Sequence, residues 1–164
     1  MAELKYTVRK AKKCDCPEIQ NMIMELAETE NMADQNNMTV QVLERDGFEK
    51  DPPYYYAFVA EKDDGTLLGY AVYVYQYSTW NGRIMYLEDI CVKEAYRNQK
   101  VGFDLLKAVN KVALETGCSQ MRFACLKTNP AMSFYKRHGA LNLTEVEDWH
   151  MLRFDLDVMK SELS

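Results

Sequence analysis

Ile84-Met85-Tyr86-Leu87-Glu88-Asp89-Ile90-Cys91-Val92 reads as a strand with apolar residues on both faces, and so as a central strand of a sheet. A polar loop follows, Tyr96-Arg97-Asn98-Gln99-Lys100-Val101-Gly102-Phe103, and leads into a helix from about Gly102 to Thr116. Leu105, Val109, Val112 and Ala113 fall on that helix's inner face, and Gly117 closes it. First-turn amides of a helix lack intrahelical acceptors and carry partial positive charge, so this junction suits phosphate oxygens. Ligands of such sheets also settle at the carboxyl ends of strands. Arg97 and Lys100 add charge matched to a pyrophosphate. An arginine and one glycine before a helix are common, so these residues alone describe a plain loop equally well.

Outward from this unit, Tyr6-Thr7-Val8 reads as a short first strand. Asp15 is placed to cap the first helix, with Pro17 in the first turn and Glu18 completing a capping box. Ile19, Met22, Ile23, Leu26 and Ala27 make its apolar stripe. Thr39 caps a second short helix that Gly47 would stop. Tyr54 to Glu61 and Thr66 to Tyr77 are strands joined through Asp63-Asp64-Gly65, and Asn81-Gly82 signals a second hairpin. Beyond Gly117 come a strand from Gln120 to Leu126, a short helix from Ala131 to Arg137 ended by Gly139, and a last strand from Met151 to Leu156. The order β-α-α-β-β-β-α-β-α-β, without repeats or linkers, implies one α/β (mixed α+β) domain over residues 1–164. Its central mixed β-sheet has helices on both faces.

The composition, 48% apolar and 27% charged, is that of a soluble globular chain. The formal charge of -5 and the lack of a basic stripe argue against a nucleic-acid partner and suit a cationic ligand. Cys14, Cys16, Cys91, Cys118 and Cys125 are odd in number and match no zinc spacing, which points to reduced thiols and a cytoplasmic setting. Met1-Ala2-Glu3-Leu4-Lys5 lacks an apolar run and no stretch approaches a membrane span. His138 and His150 are the only histidines and neither sits in an acidic cluster, so no metal is expected.

The loop resembles the arginine-x-x-glycine-x-glycine phosphate loop of the GNAT acetyltransferases, whose element order this chain also follows. Arg97 and Gly102 stand in the pattern, while Lys100 takes the place of the first glycine. A lysine held at positive φ costs strain, which its amine offsets if it meets a phosphate. Acetyl transfer from a thioester to an amine then sets three demands: a base for the ammonium proton, a donor for the oxyanion and an acid for the departing thiolate. Glu88 is a carboxylate within an apolar strand, consistent either with a solvent-facing mouth position or with a functional acid. Tyr135 on its helix is consistent with a core residue or a catalytic one.

Further segments narrow the resemblance to the spermidine/spermine acetyltransferase family, and within it the thialysine N-epsilon-acetyltransferase type. They are Tyr77-Ser78-Thr79-Trp80-Asn81-Gly82-Arg83, Tyr86 to Ile90, Gly117-Cys118-Ser119-Gln120, Phe134-Tyr135-Lys136 with Gly139-Ala140, and Leu143 to His150. The resemblance implies acetyl-CoA as donor, Tyr135 as the acid for sulfur, and Glu88 as the base acting through water. It implies that the backbone of Ile90, Cys91 and Val92 holds the thioester and pantetheine arm. Arg97, Asn98, Gln99, Lys100, Val101, Gly102 and Phe103 hold the pyrophosphate. Asn129, Pro130, Ala131 and Met132 flank the lower arm, where the chain is one residue shorter than the family pattern, and Tyr135 and Arg137 join the donor site. On the acceptor side it implies Thr29, Glu30, Trp80, Glu88, Arg122, Phe123, Ala124 and Glu147. Ser78 replaces an aspartate of the polyamine enzymes, which favours a short lysine-like amine such as thialysine over spermidine or spermine. A protein-lysine or N-terminal acetyltransferase and a non-catalytic acyl-CoA-binding module are the alternatives. The family also implies a homodimer.

Overall fold

The computed structural model describes residues 4–162, so the Met1-Ala2-Glu3 part of the N-terminal reading lies outside the described residues. The chain divides into two compact units, Met1–Ala124 and Cys125–Ser164.

The first unit holds β1 (Thr7–Lys10), α1 (Cys16–Thr29), α2 (Val40–Glu44), β2 (Tyr56–Glu61), β3 (Leu67–Ser78), β4 (Gly82–Val92), α3 (Val101–Glu115) and β5 (Gln120–Arg122). The strands lie in the order β1-β2-β3-β4-β5, antiparallel except for the parallel pair of β4 and β5. Strand alternation builds two cores. Leu105, Val109 and Ala113 of α3 pack with Phe58, Ala60, Leu68, Ala71, Tyr73, Met85 and Leu87 on one face. Cys16, Ile19 and Met22 of α1 and Leu43 of α2 pack with Val59, Leu67, Tyr70, Val72 and Cys91 on the other. A mixed sheet between helices is therefore the architecture, as the element order implied.

Several local expectations change. Asp15 does not cap α1 with its side chain. Instead Arg9 donates to both its carboxylate oxygens, at 2.7 and 3.0 Å, and also to Glu61 at 2.7 and 2.9 Å. The Lys12 amide adds a third donor at 2.7 Å. A buried carboxylate gains more from a guanidinium fork than from a helix amide, and Arg9 on β1 supplies one. Glu18 leaves the capping box for an ion pair with Lys93. Thr39 does cap α2, accepting from the Val42 amide at 3.2 Å. Gly47 does not stop the second helix, because the chain continues through a π turn over Arg45–Glu49. Its missing side chain makes room for the Tyr55 ring, whose Cζ would lie 2.5 Å from a Cβ at that position.

The second unit holds α4 (Ala131–Arg137), α5 (Leu143–Glu147) and α6 (Leu156–Glu162). The strand expected from Met151 to Leu156 is absent: the segment has no regular structure until α6 begins at Leu156. A strand needs a partner ladder for its amides, and among the described residues β1 to β5 make up the sheet without it. Met151, Leu152 and Phe154 are exposed, and the Asp155 carbonyl takes the Met159 amide at 3.0 Å, which favours the helical turn. The strand expected from Gln120 to Leu126 is likewise shorter, ending at Arg122.

Burial raises the Asp15 pKa, but Arg9 and the Lys12 amide outweigh it and hold the carboxyl below its usual range. A depressed folded pKa stabilises fully above the unfolded value of about 3.9, and this contribution fades as pH falls through the folded value. Asp15→Asn, which leaves Arg9 half-paired, should lose about 2–4 kcal/mol at neutral pH. Its stability should also fall less steeply than wild type's between neutrality and the acid range. Thermal melts across that range check both; parallel curves of equal height would contradict the assignment.

Candidate active site

The β4 strand carries the site because it changes character halfway along. Its parallel register with β5 covers Ile84 to Tyr86, opposite Gln120 to Arg122, and stops where β5 stops. From Leu87 to Val92, among the described residues, β4 pairs with β3 alone. Beside β5 the rest of β4 therefore has an open backbone edge, able to receive an amide-containing chain as an added strand would be received.

At the same point the register slips. Val72 faces Asp89 and Tyr73 faces Leu87, so Glu88 is an extra, bulged residue. The bulge reverses the alternation of side chains. Met85 and Leu87 face α3, and beyond the bulge Ile90 and Val92 face α3 as well. Cys91 instead joins the core against α1. Asp89, in step with Cys91, is thereby turned to the α1 side, while Glu88 is exposed on the bulge itself.

The loop after β4 carries two exposed cations, Arg97 and Lys100, into the start of α3. Arg97 donates from Nε to the Val92 carbonyl at 2.9 Å, which ties the loop to the end of the open strand. Asn98 and Lys100 are left-handed, with φ of 60° and 68°. Lys100 is the N-cap of α3 and makes no side-chain cap bond, and its carbonyl accepts the Asp104 amide at 2.9 Å. First-turn amides of such a 15-residue helix can hold phosphate oxygens, with Arg97 and Lys100 exposed beside them. Gly102 has ordinary helical backbone; a Cβ there would meet only Val92 Cγ2 at 3.5 Å, normal contact. A ligand with amides along one half and phosphates at the far end fits this strand edge and helix start.

Beside the open edge lies a cleft of about 270 Å³, lined by Ile23, Leu26, Ala27 and Glu30 of α1 and its C-cap, by Met32, Gln35 and Asn36, and by Asp89. Its walls are mostly apolar, with two carboxylates among them. Asp89 accepts a hydrogen bond from the Tyr70 hydroxyl. Burial is the main cause that raises the Asp89 pKa, and Glu30 and Glu88 push in the same direction. Burial also raises the Cys91 thiol to about 11, so it stays protonated and is no rival nucleophile.

Asp89 is the residue that sequence reasoning passed over. Of the acceptor-side candidates, Glu30 lines this cleft with it. Thr29 bonds back to the Glu25 carbonyl at 2.8 Å. Trp80 stands 80% exposed at the tip of the β3–β4 hairpin. Arg122 donates to Gln120 at 3.0 Å, Phe123 packs at the edge of the α3 core, and Ala124 follows it. None of these five is among the cleft's walls.

Within the second unit, the Asn129 side chain accepts the Ala131 amide at 2.9 Å and shapes the entry through Pro130 into α4. Met132 and Tyr135 lie partly buried on α4, and Arg137 is exposed at its end. The Tyr135 ring meets Phe134 edge-on at 5.4 Å. Glu147 ends α5 and is exposed. Among the described residues no cluster of His, Cys, Asp and Glu is placed to hold a metal, no helix is long and apolar enough to cross a membrane, and all five cysteines are free.

The chain belongs to the acetyltransferase (GNAT) family, whose model matches residues 16–140, and members of that family draw the acetyl group from acetyl-CoA. It is 44% identical over 161 residues to thialysine N-epsilon-acetyltransferase of Bos taurus, covering 93% of this chain and 94% of that protein. It is 40% identical over 157 residues to human spermidine/spermine N(1)-acetyltransferase-like protein 1, covering 92% of this chain and 22% of that one. An integron cassette protein from the mobile metagenome of V. cholerae shares the fold, with a TM-score of 0.76 at 20% identity, covering 97% of this chain and 99% of that one.

Lys100 holds a backbone conformation that glycine adopts without penalty. Lys100→Gly should raise stability by about 1 kcal/mol, a gain of roughly 2–4 °C in melting temperature. Calorimetry of the two proteins without ligand checks this, and a lower melting temperature for the variant would contradict it.

Proposed function

We propose that the protein transfers the acetyl group of acetyl-CoA to the primary amine of a small cationic metabolite, with thialysine or a lysine-like amino acid preferred, and that it acts as one acetyltransferase domain. The observation that carries the reading is the acidic, apolar-walled cleft beside the open edge of β4. Glu30 and Asp89 offer charge to an ammonium, and Ile23, Leu26, Ala27 and Met32 offer contact to its methylene stem. The names of the bovine and human relatives point to the same substrate class.

In this reading the backbone of Ile90, Cys91 and Val92 pairs with the pantetheine arm, and an amide of that edge faces the thioester oxygen. Arg97 and the loop from Asn98 to Phe103 hold the pyrophosphate, with Asn129 to Met132 and Arg137 supporting the donor. The bound donor supplies an activated acetyl thioester. An alkyl ammonium has a pKa of about 10.4 and must first lose a proton. Glu88 receives it through water, which its exposed place on the bulge allows. The amine nitrogen then bonds to the acetyl carbon as the carbon–sulfur bond breaks; Tyr135 gives its phenolic proton to the sulfur, and the proton the nitrogen sheds as the amide forms passes through water to restore the phenol. Thr29, Trp80, Arg122, Phe123, Ala124 and Glu147 stay assigned to the acceptor side by resemblance. A homodimer, in keeping with the exposed apolar segment around Met151 and Phe154, and a cytoplasmic location, in keeping with five free thiols, complete the proposal.

A polyamine acceptor is the second reading, favoured by the human relative's name. Ser78 speaks against it, because its Oγ accepts the turn amides of Trp80 and Asn81 at 3.2 Å and brings no charge. The test is steady-state acetylation of thialysine, lysine, spermidine and a lysine peptide, with Tyr135→Phe alongside wild type. Thialysine should give the highest kcat/KM, and the variant should lose about 10²-fold or more in kcat. Full turnover in the variant would overturn the acid assignment, and preference for spermidine or the peptide would overturn the acceptor.

A further inference from the structure

Tyr70 is 0% exposed, the largest of the fully buried side chains. It sits on β3 opposite Cys91, on the sheet face that packs against Cys16, Ile19 and Met22 of α1. A buried phenol in an otherwise apolar core must find a partner for its hydroxyl. The partner is Asp89, two residues before Cys91 on β4 and so the diagonal neighbour on the same face. Asp89 reaches that face only because the Glu88 bulge reverses the alternation, and it lines the cleft with Glu30. Tyr70 itself is not among the cleft's walls.

Two carboxylates beside one apolar cleft repel each other, and the exposed bulge carries a third. Without a fixed donor, Asp89 would turn away or take up a proton, and the cleft would lose half its charge. The Tyr70 hydroxyl occupies Oδ2 of the carboxylate and leaves Oδ1 free of that bond, able to accept from a cationic group in the cleft.

We propose that Tyr70 is a positioning residue for acceptor selectivity: through its hydrogen bond it fixes Asp89 as a charge aimed at the cationic nitrogen of the amine, without touching donor or acceptor itself. This rests on the acetyl-transfer reading above and adds to it the residue that orients the acceptor acid. The device is a phenol–carboxylate pair spanning two strands.

The test is a double-mutant cycle of Tyr70→Phe and Asp89→Asn, with KM measured separately for thialysine and for acetyl-CoA and melting temperature recorded for each protein. Tyr70→Phe should raise the KM for thialysine roughly tenfold, the effect of one lost hydrogen bond to a charged group. In the Asp89→Asn background the same change should cost less than about twofold. The KM for acetyl-CoA should stay within about twofold throughout, which general damage to the core would not allow. Equal costs in the two backgrounds, or an effect on acetyl-CoA alone, would overturn the inference. Wild-type protein supplies a check that needs no variant to fold: the carbon resonance of the Tyr70 ring bearing the hydroxyl should shift on adding thialysine and not on adding coenzyme A. An unmoved resonance overturns the proposal too. Failure of wild type to acetylate any amine would instead remove the reading beneath it, whereas turnover with an additive cycle removes this inference alone.

Discussion

The bulge at Glu88 is the constraint on which the rest of the structure depends. A strand with strict alternation would send Asp89 and Cys91 to the α3 face and Ile90 and Val92 to the α1 face. One extra residue reverses this. It places two aliphatic side chains on the α3 core, a carboxylate in the cleft by α1 and an exposed carboxylate between them. Since β5 leaves β4 just before the bulge, the same few residues also present an open backbone edge. Bulges cluster where a sheet must aim a side chain, and here the bulge aims Asp89 into the cleft by α1.

The elements around β4 hold this arrangement at its carboxyl end. Arg97 fastens the phosphate loop to the Val92 carbonyl, and Lys93 pairs with Glu18 of α1. Between β3 and β4, Gly69 permits a close approach: a Cβ there would lie 2.5 Å from the Cys91 carbonyl oxygen. The tolerance for backbone strain in the loop, seen in the left-handed Asn98 and Lys100, is then understandable. Neighbouring contacts over-determine the conformation, and first-turn amides gain an orientation suited to phosphate.

Much of this was readable from residue order. Period-two and helical patterns placed β2, β3, β4, α1 and α3, and the Asn98 to Phe103 loop stood out as a strand-to-helix junction. The expected strain at Lys100 is present. What pattern could not reveal was whatever depends on a partner in space. Asp15 reads as a cap because the guanidinium that holds it instead, Arg9 on β1, is fixed by Glu61, which comes alongside only when β1 pairs with β2. Met151 to Leu156 has the apolar content of a strand, but a ladder needs an edge to pair with. Asp89 escapes a sequence reading because a strand apolar on both faces has no alternation for a bulge to break, and only a register between two strands shows which residue is extra. A buried tyrosine on the neighbouring strand is the signal that an acid is held there, and it is visible only after folding.

The central claim is that the acetyl donor lies along the open edge of β4 with its phosphates at the start of α3. Amide hydrogen exchange with and without coenzyme A tests it most directly. Binding should slow exchange in the segments spanning residues 87–92 and 97–103, with little change in β1 and β2. Coenzyme A that binds without protecting either segment, or that does not bind at all, would contradict the account.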